Sequence, residues 1–204
     1  IISTDKAVKP KNVLGFTKRA SEIIALSFSE QKDYKNSKIS IVRFGNVFGS
    51  SGSAVEIFKN QIQNNLPITL TDNKMTRFFM SIKEACNLVI QASQLKYNNS
   101  IFVLDMGKQV RIVEIIKKIH SLVSNKRQKL NIKIIGKTKA EKINETLSYK
   151  SLKKTSIKDI SIANEKTMKI NHVNSFIKKL EHLLNISNKN KIIKLIKKFS
   201  NFKN

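Results

Sequence analysis

Three adjacent side chains near the start of the sequence are of types that together run acid–base chemistry. In "IISTDKA" a short apolar run leads into Thr4, Asp5 and Lys6, which set a hydroxyl, a carboxyl and an amine side by side. At the end of a buried strand they offer a hydrogen-bond donor, an acid and a base within reach of one substrate. The same residues also suit a plain turn, with Thr and Asp capping a helix and Lys in water. The triplet alone leaves both readings open. Lys18 follows in a helical stretch, four positions after Leu14 and so on the same helical face.

A second stretch, "RFGNVFGSSGSAVEIF", runs from a strand through a glycine loop into a helix. Gly45, Gly49 and Gly52 lack the spacing of a dinucleotide fingerprint, and no acidic residue ends a following strand to take a ribose. A glycine loop entering a helix N-terminus still suits a phosphate. No metal site is expected, because His120, His172 and His182 have no partner at ligand spacing with a carboxylate. The lone Cys86 excludes a disulfide framework and a cysteine zinc site. Its window, "EACNLVIQA", reads as an apolar helix face with a buried structural thiol.

Such groups need elements to hold them. "IIST" reads as a strand end, residues 11–32 as a helix with Ala20, Ile23, Ile24 and Leu26 on its apolar side, and "KISIVRF" as the next strand. "AVEIFKNQIQ" reads as a helix, and "PITLT" and "RFFMS" as short strands around a turn at Asp72 and Asn73. Ser81 with Glu84 three residues on forms a capping box. It opens a helix whose buried face is expected to carry Ile82, Ala85, Leu88, Val89 and Ala92. "SIFVLDM" and "NIKIIG" are strands flanking a helix at 112–124 with Ile112, Ile116, Ile119 and Val123 in register. Strand–helix alternation of this kind argues an α/β fold. Residues 1–149 read as one domain. Residues 150–204 read as a lysine-rich, mainly helical tail: a polar stretch to about residue 170, then two amphipathic helices. The last of these suits either an anionic membrane surface or packing on the body, the second being preferred.

The chain of 204 residues is 40% hydrophobic, enough for a sizeable core, and carries a formal net charge of +25 from 39 Lys and Arg against 14 Asp and Glu. Heavy use of lysine, isoleucine and asparagine with little arginine points to dispersed solvating charge. A nucleic-acid face would need clustered arginines and exposed aromatics, so no specific nucleic-acid partner is expected. No apolar run is long enough to span a membrane, and no signal peptide is recognisable, which makes a cytoplasmic location the expectation.

"STDKAVKPKNVLGFTKR", "VRFGNVFGSSGSAVEIFKNQI", "MTRFFMSIKEACNLVIQA" and "IFVLDMG" follow one another in the order and spacing of one family. Residues 1–147 resemble the CapD-like polysaccharide-biosynthesis family, nucleotide-sugar 4,6-dehydratases of the extended short-chain dehydrogenase/reductase superfamily. The resemblance is to the C-terminal part of the catalytic domain. It implies the late strands of a Rossmann-like NAD(P)-binding fold with a small α/β substrate-binding lobe. The glycine-rich fingerprint of the family lies upstream of the matched motifs.

The activity implied by the resemblance is an internal redox cycle on a UDP-N-acetylglucosamine-like substrate. C4 is oxidised with NAD (or NADP), water is lost across C5 and C6, and hydride returns to C6, giving a 4-keto-6-deoxy sugar nucleotide. By the family's pattern Thr4 binds the C4 oxygen, Asp5 is the acid at the C6 hydroxyl, Lys6 is the base at C5, and Lys18 holds the cofactor ribose. Asn46 and Arg77 match positions that grip the nucleotide diphosphate, and Glu141 a substrate-binding position. Two places depart from the pattern. Leu14 stands where short-chain dehydrogenases carry tyrosine, and Thr138 stands at an arginine position, with Lys137 and Lys139 beside it as possible substitutes. Implied partners are the UDP-sugar, a second copy of the chain or an N-terminal half, and a membrane through an upstream segment or the basic tail. The competing readings are a non-catalytic remnant that binds sugar nucleotide or a partner chain, and a polyanion-binding module.

Overall fold

The alternating pattern becomes eleven strands and six α-helices among the described residues. The computed structural model describes residues 1–34, 36–50, 52–124, 128–136, 138 and 140–202. The order begins β1 (Ile2–Thr4), α1 (Val13–Ser29), β2 (Ser40–Phe44), β3 (Asn46–Phe48) and α2 (Ala54–Gln63). It continues with β4 (Ile68–Leu70), β5 (Thr76–Arg77), β6 (Phe79–Ser81) and α3 (Ile82–Gln94). Next come β7 (Ser100–Leu104), β8 (Val110–Arg111), α4 (Ile112–Val123) and β9 (Ile132–Ile134). The last elements are β10 (Leu152–Lys154), β11 (Ile160–Ala163), α5 (Ile170–Asn185) and α6 (Lys189–Ser200). Two compact units form: residues 1–44, 88–105 and 146–204 in one, residues 45–87 and 106–145 in the other.

The first unit holds a five-stranded sheet in the order β1-β2-β7-β11-β10. β1, β2 and β7 are parallel, with Ile2 opposite Val42 and Ile41 opposite Ile101. β11 and β10 add antiparallel strands, Ile160 lying opposite Leu104. Ile41, Ile101, Phe102, Val103, Leu104 and Ile160 are buried. These near-continuous apolar runs are what a sheet covered on both faces requires. α1 is apolar on two sides. Ala25 and Leu26 pack with Ile41, Ile101 and Val103, while Ala20 and Ile23 pack with Val173 and Phe176 of α5 and Phe199 of α6. Phe176 and Phe199 stack with ring centroids 3.8 Å apart. Val173 and Phe176 of α5 and Phe199 of α6 are thus packed within this unit, with Ile177, Leu180, Leu195 and Ile196 partly buried against them.

The second unit is built on Phe58, Ile62, Ile68, Leu70, Met75, Ile112 and Ile116. α2 and α4 bury their apolar stripes there together with the parallel pair β4–β9. Two further short ladders, β3–β6 and β5–β8, complete it.

Some expectations are corrected. Cys86 is exposed, not a buried thiol. Ala85, Leu88 and Ala92 of α3 turn inward, whereas positions 82, 86 and 90 share another face, on which Ile82 and Ile90 are exposed as well. The window held two overlapping apolar stripes, and periodicity cannot tell which one a neighbour will cover. The strands of "PITLT" and "RFFMS" do not pair with each other; β4 pairs with β9 and β6 with β3. The chain passes from the second unit back into the first between Glu145 and Thr146, and the polar stretch after residue 149 contains β10 and β11, which close one side of the main sheet. The Ser81–Glu84 capping box forms, with the Glu84 N–H donating to Ser81 Oγ at 3.1 Å and the Ser81 N–H to Glu84 Oε2 at 3.4 Å.

Candidate active site

β1 stops where Thr4 caps a single 3-10 turn over Asp5–Ala7, the Lys6 N–H donating to Thr4 Oγ1 at 3.4 Å. The turn gathers the triplet. Thr4 Oγ1 and Lys6 Nζ both donate to Asp5 Oδ1, each at 2.9 Å. Asp5 is fully buried, and its second oxygen, Oδ2, is buried with no protein partner. A buried carboxylate oxygen left unpaired costs about 1–3 kcal/mol or more, so such an atom calls for a partner from outside the protein, whether a water, an ion or a ligand group.

α1 sets the turn from the other side. The Asn12 side chain caps the helix by accepting from the Gly15 N–H at 2.8 Å. Gly15 then passes so close that a β-carbon there would lie 2.4 Å from the Lys6 carbonyl oxygen. One turn on, Lys18 Nζ donates to the Ile2 carbonyl at 3.2 Å, which ties its amine to the strand that carries the triplet. Leu14 is exposed and has nothing to titrate.

Behind the strand ends lies a charge network that the sequence reading missed. Glu22 of α1 takes Arg43 of β2 in a two-pronged pair, Nε to Oε1 at 2.7 Å and Nη2 to Oε2 at 2.6 Å. Glu165 takes Arg43 Nη1 at 2.6 Å and Arg19 Nη2 at 2.8 Å, and Arg19 Nη1 returns to Glu22 at 3.2 Å. All four side chains are at most 2% exposed. Burial alone would lower the Arg43 pKa, but hydrogen bonds and charge from Glu22, then Glu165, outweigh it and hold the guanidinium above its ordinary range. The available signal was an arginine inside the apolar run of "SIVRF", which must find a carboxylate if the strand is central.

The remaining expected residues lie in the second unit. Asn46 opens β3, its N–H donating to the Phe78 carbonyl at 3.0 Å. The Arg77 guanidinium is engaged with backbone: Nη1 donates to Thr76 O and Ile143 O at 2.7 and 3.0 Å, and Nη2 to Lys142 O at 3.0 Å. Glu141 Oε2 accepts from the N–H and the hydroxyl of Thr138, both at 3.2 Å. Arg77 and Glu141 thus organise the 138–145 segment, where Lys142 also pairs with Glu145 at 2.9 Å. Lys137 and Lys139 lie outside the described residues. So Thr4, Asp5 and Lys6 form one bonded cluster beside the strand that Lys18 holds, while Asn46, Arg77 and Glu141 belong to the other unit.

A family model described as polysaccharide biosynthesis protein matches residues 1–165. The chain belongs to this polysaccharide biosynthesis family. Among curated relatives, the capsular polysaccharide biosynthesis protein CapD of Staphylococcus aureus is 47% identical over 153 residues, 74% of this chain and 25% of CapD. The UDP-glucose 4-epimerase of Rickettsia canadensis is 33% identical over 147 residues, 72% of this chain and 42% of the epimerase. Among solved structures, Pen from Bacillus thuringiensis matches with a TM-score of 0.66 at 28% identity, covering 82% of this chain and 53% of Pen. The dTDP-glucose 4,6-dehydratase of Bacillus anthracis, solved with NAD, matches with a TM-score of 0.57 at 13% identity, covering 68% of this chain and 49% of the dehydratase. The last likeness is one of fold. The chain therefore spans a quarter to about half the length of the proteins it matches. In this member of the polysaccharide biosynthesis family the fold is α/β with a parallel sheet core, like the Rossmann-type sugar-nucleotide enzymes to which it is similar. Among the described residues no helix is long and apolar enough to cross a membrane.

Proposed function

We propose that this chain is the C-terminal part of an NAD-dependent (or NADP-dependent) nucleotide-sugar 4,6-dehydratase acting on a UDP-N-acetylglucosamine-like substrate in surface-glycan synthesis. The observation that carries the reading is Asp5, oriented by Thr4 and Lys6 on one oxygen and unpartnered on the other. Elimination across C5 and C6 of a 4-keto sugar needs a base at C5 and an acid at the C6 oxygen, on adjacent carbons. Lys6 and Asp5, 2.9 Å apart, are spaced for that pair of tasks.

The protons balance within the triplet. The neutral Lys6 amine takes the C5 proton, the electron pair of that C–H bond forms the C5–C6 double bond, and the C–O bond at C6 breaks. Asp5 gives its proton to the departing hydroxyl, which leaves as water. A lysine ammonium and an aspartate remain in hydrogen-bond contact, and the ammonium gives its proton back to C5 as C6 is reduced, which restores the starting amine and carboxylate. The proton that Asp5 gives is the one released at C4: with leucine at position 14, Thr4 Oγ1 accepts it from the C4 hydroxyl and passes its own proton on to Asp5 Oδ1.

Lys18 suits the ribose of a nicotinamide cofactor. Its amine makes one hydrogen bond to protein, which leaves N–H groups for ribose hydroxyls. The chemistry NAD supplies when bound is reversible hydride acceptance. No loop of the described residues carries the pyrophosphate fingerprint, so most of that binding is assigned to residues outside this chain. Asn46, Arg77 and Glu141 are assigned to the nucleotide diphosphate and its surroundings, Arg77 partly through the segment it holds.

A 4-epimerase is the second reading, favoured by the Rickettsia relative. The test incubates the full-length protein with NAD and UDP-N-acetylglucosamine in deuterated water. Loss of water with deuterium at C5 supports the dehydratase. An unchanged mass with inverted C4 establishes the epimerase, and binding without turnover a remnant. Lys6→Ala is expected to abolish C5 exchange while leaving sugar-nucleotide affinity within a few-fold.

A further inference from the structure

A single 3-10 turn cannot hold a catalytic triplet by itself. It is three residues long, with the Val8 N–H donating to the Asp5 carbonyl at 3.1 Å, and short 3-10 segments have poor hydrogen-bond geometry. Its flanks are bound instead. On the near side Ser3 Oγ donates to the buried Glu22 carboxylate at 2.5 Å. On the far side one phenol spans the chain: Tyr149 Oη accepts from the Lys9 N–H at 2.8 Å and donates to the Ala7 carbonyl at 3.4 Å. The Arg19 guanidinium sits 5.4 Å from the centroid of the Tyr149 ring, and Arg19 is itself fixed by Glu22 and Glu165. Both ends of the triplet are therefore tied to the same buried charge network.

Lys9 shows that the tie bears a load. Its φ of 47° lies in the left-handed region, which costs a non-glycine residue on the order of 1 kcal/mol or more and persists where the surroundings over-determine it. The Tyr149 phenol accepts from the N–H of this strained residue.

We infer that Tyr149 is a positioning residue for Thr4, Asp5 and Lys6, acting through the backbone of residues 7–9. The role rests on the dehydratase reading above. Tyr149→Phe removes the phenol oxygen and keeps the ring under Arg19, so folding is preserved. In the full-length enzyme it is expected to lower kcat about tenfold with KM for UDP-N-acetylglucosamine within about twofold, since misplaced reacting groups lose rate rather than affinity. Adding Lys9→Gly, which takes φ > 0 without strain, is expected to recover most of kcat. A second readout needs no activity: acylation of Lys6 by a lysine-directed reagent, read by peptide mapping, should be slow in the wild type and rise at least about threefold in Tyr149→Phe as Lys6 leaves Asp5. Unchanged Lys6 labelling in the folded variant, a rise in KM alone, or no recovery with Lys9→Gly overturns the inference. If the wild type fails to dehydrate the sugar while labelling rises and then falls back with Lys9→Gly, the positioning stands and the dehydratase reading falls.

Discussion

Gly15→Ala sets two effects of known sign against each other. In an ordinary helix interior the change stabilises by roughly 1 kcal/mol, through propensity and lost unfolded-state freedom. Here the new β-carbon would stand 2.4 Å from the Lys6 carbonyl oxygen, 3.0 Å from Pro10 Cβ and 3.3 Å from Asn12 Oδ1. The first of these is backbone, so relief requires α1 and the 3-10 turn to part by nearly 1 Å. Overpacking of this kind costs about 1–3 kcal/mol, which outweighs the gain and leaves a net loss of up to about 2 kcal/mol. For a chain of this size that corresponds to a fall in Tm of a few degrees, about 2–4 °C per kcal/mol. The shift falls on the residue whose amine pairs with Asp5, and a displacement of about 1 Å at a catalytic group costs on the order of a hundredfold in rate. Thermal unfolding of the variant, with C5 deuterium exchange in the full-length protein, reads both quantities. A Tm that rises by the propensity gain, with exchange unchanged, would refute the close approach and the reasoning built on it.

Arg43→Met should cost about 3–5 kcal/mol in urea unfolding, because it removes one of the two guanidiniums that pair with buried Glu22 and Glu165; a loss below about 1 kcal/mol would mean that water reaches the network. Since the folded pKa of Arg43 is raised, its contribution is fully present below the unfolded value and lost only as pH rises through the folded one. Unfolding followed to about pH 10 should therefore show no alkaline loss assignable to Arg43, whose guanidinium titrates well above that range. Exposed Cys86 should react with a thiol reagent in the native protein, one equivalent per chain, and protection until denaturant is added would contradict its placement. Residues 1–204 purified alone should retain no NAD and give no 4-keto product. β1 is paired on one side only, with Ile1 and Ile2 half exposed, so this polypeptide is also expected to self-associate.

Local order in this protein was readable where residues near in sequence decide it. The capping box at Ser81, the helix at 54–63 and the buried run of β7 each follow from caps, periodicity and apolar content within a dozen or so residues. The chemistry of Thr4, Asp5 and Lys6 was legible as residue types. Their function as a unit was not, because a turn and an active site use the same three side chains. Tertiary structure decided that both donors meet one oxygen of Asp5 and that its other oxygen is left buried. It also decided the partners: β4 with β9 across more than sixty residues, and Arg43 with a carboxylate at position 165. β10 was hidden because "LKK" is exposed and apolar at only one position, its place being set by pairing with β11 and not by burial. Cys86 faces outward because one of two apolar stripes on α3 found a neighbour and the other did not. In each case the deciding interaction joins segments far apart in the chain. Its free energy includes loop closure and desolvation, quantities that a local pattern does not contain.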